Sequence, residues 1–114
     1  MKVIIAGSRS ITDEQELFKA LKQHPLDITE VVSGGAAGVD SLGETHAKCL
    51  GLELTVFKAK WDLWGRKAGI IRNLDMANYA DALLAVWDGK SRGTKHMIET
   101  MEKLGKPVYV YIGV

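Results

Sequence analysis

Two spacings of apolar residues alternate along the chain. Compact apolar-rich runs at Val3–Ala6, Thr29–Val32, Leu52–Phe57, Ala82–Trp87 and Val108–Ile112 predict five strands. Between them the apolar residues return every three or four positions, as one face of a helix does. Leu17, Phe18 and Leu21 form the first such stripe, opened by a capping box at Thr12-Asp-Glu-Gln15 and closed by Pro25. Val39, Leu42, Ala47 and Leu50 form the second, with Gly51 as its stop. A third helix is expected from about Ala68 to Tyr79, after the long connection "KAKWDLWGRK". Met97, Ile98, Met101 and Leu104 mark a fourth, from Thr94 to Leu104, with Gly105 and Pro107 beyond it.

Strands and helices that alternate at this spacing imply right-handed crossovers, hence a mainly parallel five-stranded sheet with helices on both faces. One α/β domain over residues 1–114 is expected. In such sheets ligands bind outside the carboxyl ends of the strands, near the point where strand order reverses. Four segments lie at that edge: Gly7–Thr12, Gly34–Asp40, Lys58–Arg72 and Trp87–Lys95.

Composition changes this picture little: 46% hydrophobic and 25% charged residues are ordinary for a soluble protein. No apolar run approaches the roughly 20 residues of a membrane span, so no membrane partner is expected. The single cysteine, Cys49, excludes an internal disulfide and suits a reducing cytoplasm; simple packing is its expected role. No Cys/His cluster has metal-ligand spacing, and neither a metal nor a cofactor is expected.

The distribution of charge is more informative than its total of +1. The four edge segments hold nine of the fifteen Lys/Arg and only three acids, Asp40, Asp62 and Asp88, a balance of +6; the remainder of the chain carries −5. Positive charge beside helix N-termini attracts an anion, most naturally a phosphate.

The motifs sit in those segments. "GSR" at Gly7–Arg9 closes the first strand: Gly7 allows a turn, Ser8 is either a turn residue or a phosphate ligand, and Arg9 can fork onto a phosphate. The G-x-G-x-x-G spacing of dinucleotide enzymes is missing, which disfavours ordinary NAD-dependent redox chemistry. "SGGAAGVD" at Ser33–Asp40 places Gly34, Gly35 and Gly38 where small residues let a ligand or a loop approach the amides. Asp40 either caps the following helix or accepts a ribose hydroxyl. Arg72 and Asn73 interrupt an apolar stretch; Arg72 either pairs with Asp75 or reaches the ligand. "SRGT", Ser91-Arg92-Gly93-Thr94, is either a helix cap or a phosphate site. Trp61, Trp64 and Trp87 offer a base-stacking surface, or core or subunit-interface contacts. His96 is expected on a helix surface.

"AGSRS", "SGGAAGVD", "AGIIRN" and "SRGT", in this order over nearly the full chain, resemble the SLOG superfamily of Rossmann-like proteins, and its small stand-alone YspA-like branch in particular. That resemblance implies a Rossmann-like three-layer fold, a nucleotide ligand and a homo-oligomer. Phosphate contacts are expected at Gly7, Ser8, Arg9, Gly34, Gly35, Ser91, Gly93 and Thr94, with Arg92 a further ligand-binding candidate. Arg72 and Asn73 fall at phosphate or ribose, with Asp40 or Asp88 on sugar hydroxyls. LOG phosphoribohydrolases in the superfamily resemble G-G-x-G-T-x-x-E where this chain has Met97 at the glutamate position. The leading reading is therefore a sensor, carrier or sequestering protein for a nucleoside phosphate or an ADP-ribose-like ligand. The first alternative is a nucleotide N-glycosidase using Arg72, Asp40 or Asp88. The second is single-stranded DNA binding of the DprA kind, disfavoured by the low net charge.

Overall fold

A computed structural model describes residues 1–113. The strands are β1 (Lys2–Gly7), β2 (Glu30–Ser33), β3 (Glu53–Val56), β4 (Ala82–Trp87) and β5 (Val108–Ile112). They form one sheet in the order β3-β2-β1-β4-β5, and every pairing is parallel. The helices are α1 (Glu14–Gln23), α2 (Val39–Leu50), α3 (Trp61–Trp64), α4 (Ala68–Tyr79) and α5 (Arg92–Lys103).

Alternation along the central strands sorts the core into two layers. Val3 and Ile5 of β1 and Leu84 and Val86 of β4 face Leu17 and Ala20 of α1 and Val39 and Ala47 of α2. Ile4 and Ala6, with Leu83 and Ala85, face Met76 and Ala77 of α4 and Met97, Ile98 and Met101 of α5. Helices thus cover both faces of a sheet whose central strands are apolar on both sides, the Rossmann-like three-layer arrangement.

Several local expectations change. The cap of α1 is Asp13, whose carboxylate accepts the Gln15 amide at 2.9 Å, and not Thr12. Phe18 is exposed and lies 6.4 Å from the His46 ring, outside the α1 core stripe. The connection before α4 contains the single turn α3 and a 3₁₀ turn at Gly65–Lys67. Cys49 is exposed and packs in no core.

The chain runs outward from β1 to β3 and then returns to the other side of β1 for β4. The β1–β4 seam is therefore the switch point, where the two following loops diverge and open a crevice. Gly7 ends β1 at this seam, paired with Val86. It is a strand residue rather than a turn residue. A Cβ on it would lie 1.9 Å from the Val86 carbonyl oxygen and 2.8 Å from Val39 Cγ2. Both obstacles belong to packed elements, so Gly7→Ala is expected to destabilise the fold by about 3 kcal/mol or more. Gly93→Ala, with open space around the added methyl, is expected to change stability by less than about 1 kcal/mol. Urea unfolding of the two variants checks the contrast.

Candidate functional site

Ser8, directly after Gly7, is buried and joins three elements. Its amide donates to Val86 O at 3.1 Å, its carbonyl accepts Val39 N at 3.3 Å, and its hydroxyl oxygen accepts the Asp88 amide at 2.9 Å. Its side chain is thus occupied in holding β1 to the loop after β4. Arg9 follows, exposed, with no hydrogen-bond or ion-pair partner among the described residues.

The glycine loop after β2 folds onto Asp40 instead of opening its amides to solvent. Asp40 Oδ2 accepts from Gly34 N at 3.1 Å and from Ala36 N at 3.3 Å. Gly35 N donates to Ser33 Oγ at 3.1 Å, and Ser33 donates in turn to Glu44 at 2.6 Å. The amides of residues 34 to 36 are therefore satisfied within the protein, and the expectation that Gly34 and Gly35 offer them to a phosphate is corrected. Asp40 is the second residue of α2, whose N-cap, Gly38, has no side-chain cap; the carboxylate serves the loop and not the helix start. Gly38 has φ +73°, and a Cβ there would lie 2.4 Å from Ser8 O, so the second loop presses against the first.

Arg72, on α4, reaches this loop. Its Nη1 donates to Gly34 O, and its Nε donates to Asn73 Oδ1 at 3.0 Å. Asp75 is not its partner. A Cβ on Gly34 would lie 2.8 Å from both Arg72 Nη1 and Asp40 Oδ2, so glycine there makes room for the two charged side chains. Burial pushes the Asp40 carboxyl above its ordinary value, against the Ala36 amide, Arg72 and the Gly34 amide. Burial also lowers the Arg72 guanidinium; Asp40 opposes that shift and the nearby Arg9 adds to it. No carboxylate lies within 4.0 Å of either arginine: among the described residues the one ion pair at that distance is Lys19–Glu16.

Asn73 carries the network to α5. Arginine has no acceptor, so the Arg72 contact fixes the Asn73 oxygen towards Nε. The Asn73 amide nitrogen then faces His96 Nδ1 at 3.1 Å and Gly93 O at 3.4 Å. His96 accepts this bond through an unprotonated Nδ1, which leaves its ring proton on Nε2, 3.5 Å from Thr100 Oγ1. His96 is thus half-buried beside the site, not a plain surface residue.

Asp88 closes the fourth loop. Its Oδ1 accepts the Lys90 and Ser91 amides, each at 2.8 Å, and these bonds hold its carboxyl below the ordinary value. Trp87 donates its indole N–H to Ser91 O at 3.0 Å, and Thr94 donates to Ser91 Oγ at 3.3 Å. The turn presents the start of α5 towards Arg72, and its N-cap Ser91 makes no side-chain cap bond.

A cavity of about 440 Å³ lies between these loops. Ten of the residues singled out in the sequence line it: Gly7, Ser8, Arg9, Asp40, Arg72, Asn73, Asp88, Ser91, Gly93 and Thr94. Met76 and Met97 line it too, both 2% exposed, so the position of the LOG glutamate faces the cavity but holds a thioether. Gly34 and Gly35 line a second cavity of about 220 Å³ instead, with Lys58 and Trp61; Arg9, Ala36 and Arg72 belong to both. Arg92 lines neither and is exposed. Lys58 stood out in the sequence only as one of nine edge charges, and His96 was expected on a helix surface because its partner depends on how α4 meets α5.

Comparison with known proteins agrees with this architecture. The family model described as "YspA, cpYpsA-related SLOG family" matches residues 1–64, which include the β1 and β2 loops. The chain is also similar to "Gene 61 protein" of Mycobacterium phage D29, 35% identical over 117 residues, covering 94% of this chain and 93% of that protein. No solved structure matches.

The raised Asp40 carboxyl has a measurable consequence. The folded state holds this proton more tightly than the unfolded chain, so the Asp40 contribution to stability falls as pH rises from 3.8 through the higher folded value. Asp40→Asn removes that component. Urea unfolding of both proteins across this range is expected to show the native protein losing stability relative to the variant with rising pH, and a constant difference above it.

Proposed function

We propose, from the premise that the chain belongs to the YspA, cpYpsA-related SLOG family, that it binds a nucleotide in the crevice between β1 and β4 and holds it without changing it. The family points to nucleotide-related binding; the ligand class we assign is a nucleoside phosphate or an ADP-ribose-like molecule. One observation carries the reading. Arg9 and Arg72 face the same cavity and repel each other, with no carboxylate of the described residues within 4.0 Å of either. An anion between them relieves that repulsion and satisfies both guanidiniums.

In this reading the phosphate lies between the two guanidiniums and the amides at the start of α5, with the Ser91 and Thr94 hydroxyls beside it. The sugar lies over the Met76–Met97 floor, near Asn73. A sensor, carrier or sequestering role suits such a site. Self-association fits the apolar surface on α3 and α4, where Trp61, Leu63, Trp64, Ile70 and Leu74 are all exposed.

The hydrogen bonding of the two lining carboxylates favours binding over N-glycoside cleavage. Asp40 holds two amides on one oxygen, and Asp88 holds two amides and is a weakened base. Met97 supplies neither a base nor charge stabilisation. A crevice of about 440 Å³ also suits a small molecule better than the long basic track of a DNA-binding surface.

Mass spectrometry of small molecules released from freshly denatured protein, together with thermal shifts across a nucleotide panel, tests this. A binding nucleotide at a hundredfold excess over Kd is expected to add about 2.7 kcal/mol to stability. Arg72→Ala is expected to weaken that ligand at least about tenfold. No released nucleotide and no shift with any panel member would overturn the reading. Free base appearing on incubation with nucleoside monophosphates would replace it with hydrolysis.

A further inference from the structure

The smaller cavity differs in character from the larger. Its lining includes the cations Arg9, Lys58 and Arg72 and no carboxylate, whereas the larger is also lined by Asp40 and Asp88. The loop amides of residues 34 to 36 are committed to Asp40 and Ser33, so the backbone there does not meet a ligand. The charged side chains that line this chamber are all positive. The Lys58 stem runs beside the loop, its Cγ 3.5 Å from where a Cβ on Gly35 would stand. Lys58 has no ion-pair partner within 4.0 Å among the described residues. Arg9 and Arg72 are shared walls, so the two chambers adjoin at the guanidiniums.

We infer that the smaller chamber is a second phosphate subsite, formed by Lys58 with Arg9 and Arg72, and that the ligand carries at least two phosphoryl groups. The inference rests on the nucleotide-binding reading and sharpens it. One phosphoryl group sits between the arginines and α5; the next extends along the carboxyl edge of the sheet towards the end of β3, where Lys58 waits. A nucleoside monophosphate satisfies the arginines and leaves Lys58 without a partner. A nucleoside diphosphate, or a molecule joined through a diphosphate, engages all three cations.

Calorimetric titration of the full chain with AMP, ADP, GMP and GDP tests this. The diphosphate of a given nucleoside is expected to bind at least about tenfold more tightly than its monophosphate. Lys58→Gln is expected to bring that ratio down towards one. Lys90→Gln, at an exposed residue lining neither cavity, is expected to leave it near its original value. Equal affinity for mono- and diphosphates, or a ratio untouched by Lys58→Gln, would overturn the second subsite while leaving nucleotide binding intact. No binding of any of the four, nor of ADP-ribose, would overturn the nucleotide reading and this inference together.

Discussion

The site depends on a guanidinium held half-buried in a crevice, with no carboxylate of the described residues within 4.0 Å. Arg72 is anchored through the Gly34 carbonyl and the Asn73 oxygen, and Asp40 supports its charge only through space. Burial opposes the charged forms of both Asp40 and Arg72. Charged groups that burial opposes in a cleft belong to function more readily than to structure. The glycine at position 34 makes room for this cation and for the buried Asp40, which holds the inward-turned amides of Gly34 and Ala36.

The fold supplies the frame that keeps the cation in place. Because β1 lies between β2 and β4, the loops after β1 and β4 part at the centre of the sheet. They stay tied through Ser8, whose hydroxyl holds the Asp88 amide and whose carbonyl holds α2. The chain of bonds from Gly34 through Arg72 and Asn73 to His96 links the β2 loop to α4 and α4 to α5. Separate turns are thereby fixed relative to one another, which lowers the ordering cost of the proposed binding.

Much of this was legible in the sequence. Helix α2 runs from Val39 to Leu50 as its periodicity requires, with Gly51 in the left-handed conformation at its end. β4 and β5 have the expected bounds, because each is a compact apolar run with clear breaks. The short α3 was not legible, since "WDLW" is too brief to show a period. In the site, the positions were legible but the directions of their groups were not. The glycines marked the loop, but only the packing shows that its amides face Asp40. Arg92 lies next to Gly93 in sequence, yet one residue is about 100° around a helix, and its side chain misses both cavities. Asn73 was legible as a polar break in an apolar stretch; its role as a bridge to His96 required both helices in place.

The most direct test is the position of phosphorus in a crystal structure of this chain with bound nucleotide. The expected result is a phosphoryl group within about 4 Å of the guanidinium nitrogens of both Arg9 and Arg72, beside the first turn of α5. A nucleotide whose phosphate lies away from the β1–β4 crevice, with Arg72 still turned only to Gly34 and Asn73, would contradict the account.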